Sequence, residues 1–325
     1  MNITTKEQIL DILQMPKEVY RQEIMPKARQ VYVENNDNAV RVAAMLGYSN
    51  VCKNQCLYCG MRAGNTQIER YRIEAKEIIA LGKNAWELGL RRIFLISGED
   101  PLYRFEEILA FVSALNEMGF FISLAAGEYH RQQYEELKAA GVDEYVMKFE
   151  MSNEAEFNRL NPSTNFKKRM QAIEEVKQSG MHLASGNIVG YPGQSLNDIA
   201  EDILLMKKLN ISWAPVIPYL PAAGTPLAKE GARGDLTTNL KEISILRLMM
   251  PAINITAAQP GEDMKKGLSD VEGNFNALKA GANLFFVDML PAAMAKNFSV
   301  IDDRLMQGLE HVYKLAEMAE MQVKL

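Results

Sequence analysis

Apolar runs rich in β-branched and aromatic residues alternate along the chain with stretches in which apolar residues recur every three or four positions. The first pattern is typical of buried parallel strands and the second of amphipathic helices, so the alternation predicts repeated βα units around a parallel sheet. The candidate strands are VRVAAMLGY (40–48), RRIFLIS (91–97), GFFISLAA (119–126), EYVMKFE (144–150), MHLASGNIVG (181–190), SWAPVIPYL (212–220), INITAA (253–258) and ANLFFVDML (282–290). Eight strands are what a complete (β/α)8 TIM barrel requires.

Helices are predicted between these strands, for example over 74–89, 105–119 and 196–210, and most of them end at a Gly or Asn that suits a C-cap. Residues 1–35 are expected to form an N-terminal helical segment before a barrel that spans 36–325. Residues 300–325 are expected to form a closing amphipathic helix. No linker or repeat divides the sequence, so we expect a single α/β domain.

Composition narrows the class of protein. Of the 325 residues, 48% are hydrophobic and 24% charged, which is ordinary for a soluble globular protein. Lys and Arg number 36 against 41 Asp and Glu, so there is no excess of positive charge for binding nucleic acid. No apolar run reaches the roughly 18 to 20 residues of a membrane span, and the N-terminus does not resemble a signal peptide. We therefore expect a cytoplasmic protein without nucleic-acid or membrane partners.

All the cysteines of the chain stand in one stretch, SNVCKNQCLYCGMRAG (49–64), as Cys52, Cys56 and Cys59. An odd number of cysteines in a long chain argues against a disulfide framework. A structural zinc site would need a fourth ligand, and the three histidines lie outside this loop. A [4Fe–4S] cluster held by three thiolates would leave one iron open to a small molecule. A zinc site and three inert buried cysteines remain as alternatives.

The spacing C-x-x-x-C-x-x-C, with Tyr58 before the last cysteine and Gly60 after it, resembles the signature of the radical S-adenosylmethionine (SAM) superfamily. This resemblance implies that the amino and carboxylate groups of SAM chelate the open iron. It also implies that an electron from the cluster cleaves the sulfonium to methionine and a 5′-deoxyadenosyl radical.

Polar residues and glycines follow the predicted strands. They occur in SGEDP (97–101), AAGEYH (125–130), KFEMSN (148–153) and GNIVGYPGQ (186–194), and the cysteines follow the first strand. Because the loops at the carboxyl ends of barrel strands assemble one face, these segments are expected to meet at a single mouth.

Longer motifs resemble one branch of the superfamily. SNVCKNQCLYCGMR, ERYR, ISGEDP, KFEMSNEAEFNRLNPSTNFKKR, GNIVGYPGQSLNDIAEDILLMKKL and PYLPAAGTPLA are similar to the [FeFe]-hydrogenase maturase HydE family, within the biotin synthase-like group that also includes methylornithine synthase. The resemblance runs over about residues 40–290. It implies a full (β/α)8 barrel, in agreement with the strand pattern.

The resemblance also assigns the first part of a cofactor site. Cys52, Cys56 and Cys59 match the cluster ligands, which are also the catalytic metal site, and the backbone around Tyr58 matches a contact to adenine. The Ser97, Gly98 and Glu99 triplet matches the motif that holds the SAM amino group. Glu99 has an alternative role as an acid that initiates the following helix.

The remaining SAM contacts lie in the second half of the barrel. Glu150 matches a carboxylate that contacts SAM, and Arg169 matches an arginine that pairs with its methionine carboxylate. Gly186 and Gly190, in the stretch that ends at Gly193, match the backbone near adenine. The alternatives are that Arg169 lies on a solvated helix face and that the Gly-Tyr-Pro-Gly sequence is only a turn.

The resemblance is weaker at the substrate end. No cysteine remains for the second cluster of some HydE enzymes or for the auxiliary cluster of biotin synthase, and Pro215 stands in the region where methylornithine synthase has an arginine that grips an amino acid. A substrate radical must form in near contact with SAM, so we expect the substrate between SAM and the ends of strands six to eight. The expected substrate residues are Tyr219, Thr256, Gln259 and Asp288.

The sequence therefore predicts a radical SAM enzyme with one [4Fe–4S] cluster, acting on a small molecule inside the barrel, with [FeFe]-hydrogenase cofactor maturation as the leading hypothesis. A methylornithine synthase-like mutase acting on an amino acid is the alternative enzyme, and a non-catalytic Fe–S scaffold or carrier is the alternative of another class. The expected partners are an electron donor such as flavodoxin or ferredoxin and other maturation proteins.

Overall fold

Parallel strands form one continuous main sheet in the computed structural model, which describes residues 3–302 and 308–325. The strands of the described chain are β1 (Ala39–Ser49), β2 (Arg92–Ser97), β3 (Phe121–Ala125), β4 (Glu144–Val146), β5 (His182–Ala184), β6 (Ile188–Val189), β7 (Trp213–Ala214), β8 (Ile217–Pro218), β9 (Asn254–Ile255), β10 (Leu284–Asp288) and β11 (Gln322–Lys324). Eight of them follow one another in the order β10-β1-β2-β3-β4-β5-β7-β9, and every neighbouring pair is parallel.

The two ends of this eight-strand path also meet. Thr256, next to β9, forms an isolated parallel bridge with Leu284 of β10. The Asn283 N–H donates to the Ile255 carbonyl at 3.0 Å, and the Ala257 N–H donates to the Leu284 carbonyl at 2.8 Å. The sheet therefore curls around on itself, and the predicted α/β class with a parallel sheet is confirmed.

Two of the predicted strands are interrupted. The segment 181–190 contains β5 and β6, and the segment 212–220 contains β7 and β8. The short strands β6 and β8 pair with each other in a separate two-stranded sheet. Pro215 lies between β7 and β8, and because proline has no N–H for the ladder, the chain leaves the main sheet at this point.

Helices pack around the sheet. They are α1 (Lys6–Gln14), α2 (Lys17–Glu23), α3 (Met25–Asn35), α4 (Ala75–Glu87), α5 (Phe105–Glu117), α6 (Arg131–Ala140), α7 (Glu154–Leu160), α8 (Phe166–Gln178), α9 (Leu196–Leu209), α10 (Leu236–Met249), α11 (Val271–Ala280), α12 (Ala292–Ala295) and α13 (Leu309–Met318), with 3-10 turns at Leu227–Lys229 and Met264–Ser269. None of these helices is long and apolar enough to cross a lipid bilayer.

The N-terminal prediction and the C-terminal prediction have different outcomes. Helices α1 to α3 precede the first strand as expected, although residues 1 and 2 lie outside the described range. The prediction of a helix over 300–325 is wrong in extent. Among the described residues of this range, only α13 is helical, and Gln322–Lys324 forms β11, which pairs in parallel with β1 at Ala39 to Arg41. Residues 303–307 of that predicted helix lie outside the described part of the chain.

Aromatic side chains that point inward fill the interior of the curled sheet. Phe94, Trp213 and Phe286 form an aromatic cluster, with the Phe94 and Trp213 ring centroids 5.1 Å apart in an edge-to-face arrangement. Such a contact adds about 0.5 to 1.5 kcal/mol beyond burial alone. These rings fill the interior at the level of the strands. The open space therefore lies at the carboxyl ends of the strands.

Candidate functional site

A cavity of about 360 Å³ occupies the carboxyl end of the barrel. Its floor is the Phe94, Trp213 and Phe286 cluster, and its walls come from the loops that follow the strands. Of the residues expected to act, those that line it are Cys52, Tyr58, Cys59, Ser97, Gly98, Glu99, Glu150, Arg169, Tyr219 and Thr256. Segments that are far apart in sequence therefore meet at one mouth, as the strand pattern predicted.

The cysteine loop follows β1 and is held by backbone hydrogen bonds from three directions. The Lys53 N–H donates to the Glu99 carbonyl at 2.9 Å, and the Leu57 N–H donates to the Leu160 carbonyl at 2.9 Å. The Leu227 N–H donates in turn to the Leu57 carbonyl at 3.0 Å. These bonds connect the cysteine loop to the segment after β2, to the end of α7 and to the 3-10 turn after β8. The backbone that carries the three thiols is therefore fixed at three places.

Arg70 holds the same loop through its guanidinium, a role that the sequence pattern did not predict. Its guanidinium donates to four carbonyl oxygens, those of Asn50 at 2.6 Å, Met61 at 2.8 Å, Arg62 at 2.7 Å and Asn65 at 3.0 Å. All four acceptors flank the cysteines in sequence. The only sequence signal was the ERYR motif, in which Arg70 is the first of two arginines.

The donor set fits an iron–sulfur cluster. Burial raises the pKa of each thiol, to about 12 for Cys59, and the neighbouring cysteines raise the pKa of Cys56 further. Three thiolates packed together in this pocket need a compensating positive charge, which bound iron provides. Within residues 3–302 and 308–325, no three His, Cys, Asp or Glu side chains converge on one point as the ligands of a single ion would. In a cluster, each thiolate binds a different iron.

Gly98 allows the cysteine loop to lie directly on the end of β2. A Cβ atom at this position would be 2.3 Å from the Val51 carbonyl oxygen and 2.7 Å from the Cβ of Cys52. Both distances are well inside van der Waals contact, so only glycine fits here without moving the loop. The Gly98 N–H also donates to the Ser49 carbonyl at 3.0 Å. Gly98 therefore has a packing role beside the cluster loop as well as its place in the cavity wall.

Glu99 points toward the third strand, where another glycine makes room for it. Its Oε1 accepts from the Glu128 N–H at 3.3 Å, and its Oε2 pairs with Lys53 Nζ at 3.3 Å. A Cβ on Gly127 would be 1.9 Å from the Glu99 Cγ. The neighbouring Asp100 accepts from the Leu102 N–H at 3.0 Å in the turn before α5, and α5 begins only at Phe105 with Arg104 as its N-cap, so neither acid caps this helix. Glu99 is thus left facing the cavity.

Glu150, in the loop that follows β4, is held in an unusual backbone conformation. Its φ is 62°, in the left-handed region that costs a non-glycine residue about 1 to 3 kcal/mol. The conformation is fixed by a bridge to Asn187, through the Glu150 N–H to the Gly186 carbonyl at 3.0 Å and the Ile188 N–H to the Glu150 carbonyl at 2.9 Å. The carboxylate borders the cavity and pairs with Lys148 Nζ at 3.0 Å.

Arg169 is buried and not on a solvated helix face, although it lies on α8 beside Lys167 and Lys168. Its Nε donates to Glu128 Oε1 at 2.8 Å, and its Nη1 donates to the Lys148 carbonyl at 2.5 Å. The Arg169 guanidinium and hydrogen bonds hold the pKa of Glu128 below its usual value against the effect of burial. Glu128 was part of the AAGEYH segment but was not assigned a role from the sequence.

The other residues matched to the adenine region have different placements. Tyr58 lines the cavity, and its hydroxyl donates to Asn161 Oδ1 at 2.7 Å. Gly186 and Gly190 do not line it. Gly186 packs against Val216, and Gly190 packs against the backbone of Gly234. Ile188, between these glycines, is the residue of this stretch that reaches the cavity.

The four expected substrate residues separate into two pairs. Tyr219 and Thr256 line the cavity, and Thr256 Oγ1 accepts from Trp213 Nε1 at 3.0 Å. Gln259 lies behind this wall, where its Nε2 donates to the Val216 and Thr256 carbonyls at 2.8 and 2.9 Å. Asp288 lies beside β1, opposite Met45, and its Oδ1 accepts from the Leu290 N–H at 2.9 Å. Neither Gln259 nor Asp288 borders the cavity.

Comparison with known proteins gives the same picture from sequence. The family model of the Radical SAM superfamily matches residues 46–206, which include the cysteine loop and Arg169. The [FeFe] hydrogenase maturase subunit HydE of Thermotoga maritima is 31% identical over 288 residues, covering 89% of this chain and 81% of the relative. The 3-methylornithine synthase of Methanosarcina acetivorans is 28% identical over 278 residues, covering 84% of this chain and 76% of the relative.

Solved structures share the fold at low sequence identity. Methylornithine synthase superimposes with a TM-score of 0.85 at 23% identity, covering 99% of this chain and 94% of that chain. The FeFe-hydrogenase maturase HydG of Carboxydothermus hydrogenoformans superimposes with a TM-score of 0.79 at 20% identity, covering 99% of this chain and 76% of that chain.

Proposed function

This chain belongs to the radical SAM superfamily and is an enzyme closely related to HydE, and on that premise we propose that it acts in the maturation of the [FeFe]-hydrogenase cofactor. The observation that carries the proposal is the division of the cavity into two unlike walls. One wall combines the thiols of Cys52 and Cys59 with charged side chains, and the other wall is uncharged.

The first wall suits the cofactors that the superfamily implies. We assign Cys52, Cys56 and Cys59 as the ligands of one [4Fe–4S] cluster, because they share a loop that backbone hydrogen bonds anchor at three places. Cys52 and Cys59 line the cavity, and Cys56 lies between them in the same loop without lining it. When bound, the cluster supplies the electron that cleaves SAM to methionine and the 5′-deoxyadenosyl radical that reacts with the substrate. The loop residues keep the thiols together, and the barrel keeps water away from the reacting atoms.

The charged side chains of this wall match the charges of SAM. We assign Arg169 to the methionine carboxylate, because a guanidinium binds a carboxylate through two parallel hydrogen bonds. Ser97 and Glu99 are assigned to the amino group, and Glu150 to a further polar group of SAM. Tyr58 and Ile188 are proposed to border the adenine, and the glycines at 186 and 190 support this region from behind.

The second wall favours a substrate without the two charges of a free amino acid. Between β7 and the segment after β9, the side chains that face the cavity are those of Trp213, Pro215, Ile217, Pro218, Tyr219, Leu220, Thr256 and Ala258. Burying an unpaired ammonium or carboxylate against such a surface would cost several kcal/mol. A neutral or organometallic species avoids that cost, so this wall favours the maturation hypothesis over an amino-acid mutase. Tyr219 and Thr256 remain our proposed substrate contacts.

The proposal includes partners outside the chain. Reductive cleavage needs an external electron donor such as a flavodoxin or ferredoxin, and maturation needs the other maturases. We propose to test the role in a cell-free maturation of hydrogenase apoprotein that lacks only the HydE subunit. Adding this protein should restore hydrogen evolution, and the Cys56→Ala variant should not. A protein that cleaves SAM but leaves hydrogenase activity at background would contradict the maturation role.

A further inference from the structure

We propose that Glu128 is a positioning residue that turns the guanidinium of Arg169 so that its two terminal nitrogens face the SAM carboxylate. This inference rests on the proposed function, because it takes Arg169 as the carboxylate partner. It adds a residue from the end of the third strand, which neither the motifs nor the comparisons assign to the cofactor.

The first observation is which edge of the guanidinium Glu128 uses. Glu128 Oε1 accepts from Nε of Arg169 at 2.8 Å, and the Lys148 carbonyl accepts from Nη1 at 2.5 Å. Nη2 makes no hydrogen bond to any residue that the structure describes. A carboxylate that binds the Nη1 and Nη2 end of the fork therefore does not compete with Glu128 for the same nitrogens.

The second observation is that Glu128 is itself held in place. Thr164 Oγ1 donates to the Glu128 carboxylate, at 3.1 Å from Oε1 and 3.0 Å from Oε2, and Lys168 Nζ lies 3.3 Å from Oε2. The Glu128 side chain is 5% exposed and that of Arg169 is 10% exposed. The ring of Phe157 lies 5.4 Å from the guanidinium carbon. An arginine with its Nε edge, one terminal nitrogen and one face all fixed is oriented before the ligand arrives, which lowers the entropy that binding must overcome.

The third observation concerns charge. Lys148, Lys168 and Arg169 carry three positive charges against the two carboxylates of Glu128 and Glu150, so one positive charge is left over in this group. Glu128 thus orients Arg169 without cancelling the attraction for an anion. If Glu128 were instead a competitor that occupied Arg169 until SAM arrived, it would be expected to bind the Nη end of the fork.

The test separates loss of orientation from loss of structure by using two probes, SAM and decarboxylated SAM, which lacks only the carboxylate. Both are titrated into the reconstituted, unreduced protein by calorimetry, so that no turnover occurs. Loss of an orienting partner typically costs about 10- to 100-fold at comparable sites. For Glu128→Ala we expect SAM affinity to fall about 10-fold or more while affinity for decarboxylated SAM is unchanged. Glu128→Gln keeps an acceptor for Nε and should fall less.

Controls make each outcome decisive. Glu135→Gln removes a carboxylate from an exposed pair with Arg131 and should change neither affinity. Equal weakening of both probes in both Glu128 variants would show a purely structural role, and tighter binding of SAM would show a competitor; either result overturns the inference. If Arg169→Ala also leaves the ratio of the two affinities unchanged, the assignment of Arg169 in the proposed function is what fails. If Arg169→Ala lowers the ratio and the Glu128 variants do not, only the inference fails.

Discussion

Lys53 and Glu99 join the cysteine loop to the end of the second strand twice. The Lys53 N–H donates to the Glu99 carbonyl at 2.9 Å, and Lys53 Nζ lies 3.3 Å from Glu99 Oε2. The segment proposed to hold the cluster and the segment proposed to hold the SAM amino group are therefore one connected unit. A change that moves either segment should disturb the other.

Replacing Gly98 by alanine should displace the cysteine loop. The added methyl group would collide with the Val51 carbonyl and with Cys52, and overpacking of this kind costs about 1 to 3 kcal/mol. We expect the iron content after reconstitution and the urea midpoint of unfolding both to fall. Gly308→Ala is the matched control, because a Cβ there meets nothing within 4 Å. Full iron loading of Gly98→Ala would show that the loop tolerates the shift.

Removing Arg70 should loosen the cluster and lower its reduction potential. Arg70→Met loses the donors to four loop carbonyls together with a positive charge close to Cys52 and Cys59. We expect faster loss of iron to a chelator and a more negative potential in an EPR redox titration, since a nearby cation stabilises the reduced cluster.

Arg70→Lys separates the two effects because lysine keeps the charge but cannot reach all four carbonyls. Its iron should still be lost faster than in the wild type, with a potential close to the wild-type value. A wild-type rate of iron loss in both variants would contradict the structural role of Arg70.

Thr256 and Gln259 should behave differently when substituted, although the sequence assigned them the same role. Thr256→Val removes a hydroxyl that accepts from Trp213 and borders the cavity, so substrate turnover should fall while uncoupled SAM cleavage is kept. Gln259→Leu should mainly lower the free energy of unfolding, by about 1 to 3 kcal/mol for each buried group left unpaired. Thr256→Ser is the control for the first variant. Full substrate turnover in Thr256→Val would remove Thr256 from the substrate site.

Stability should decrease with rising pH because of a buried pair of acids between α9, α10 and the sheet. Burial raises the pKa of Asp202 to about 6, and burial followed by the nearby Asp202 raises that of Glu242 well above its usual value. The folded protein then holds protons that the unfolded chain releases, so the contribution of these acids to stability is present below about pH 4 and is lost as the pH rises through the folded pKa values.

Glu242→Gln removes one of the two groups that hold a proton in the folded protein and release it on unfolding. Its free energy of unfolding, measured by urea titration between pH 4 and 8, should decline less with pH than that of the wild type. Glu117→Gln, an exposed position on α5, should follow the wild type. Parallel pH profiles of Glu242→Gln and the wild type would show that folding does not raise the pKa of Glu242.

The sequence was sufficient for the α/β class and for the part of the site that depends on local order. Cys52 follows a predicted strand, Ser97 and Glu150 are the last residues of two others, and all three reach the cavity, because parallel strands bring their carboxyl ends to one face whatever the loops contain. The splitting of the fifth and sixth predicted strands was missed, because an apolar run does not reveal that its hydrogen-bond partner changes partway along. The signal available for the sixth was Pro215.

The contacts between segments that are far apart in the chain could not be predicted from the sequence. Glu128 and Arg169 are 41 positions apart, and no periodicity relates an acid after one strand to an arginine on a later helix. Gln259 and Asp288 were expected in the cavity because they lie near predicted strand ends, but a side chain within a residue or two of a strand end can point either inward or away. The residues of β11 were predicted as helix because the pattern of apolar and polar residues continues into them from α13. Their pairing with β1 makes them a strand.

The central claim is that Cys52, Cys56 and Cys59 hold a single [4Fe–4S] cluster that enables cleavage of SAM. The most direct test is to reconstitute the protein anaerobically, count iron and sulfide, and measure 5′-deoxyadenosine after adding dithionite and SAM. We predict about four irons and four sulfides per chain and release of 5′-deoxyadenosine by the wild type, with neither in Cys52→Ala, Cys56→Ala or Cys59→Ala. Stable binding of about one zinc per chain without iron–sulfur absorption, or an intact cluster that yields no 5′-deoxyadenosine, would contradict it.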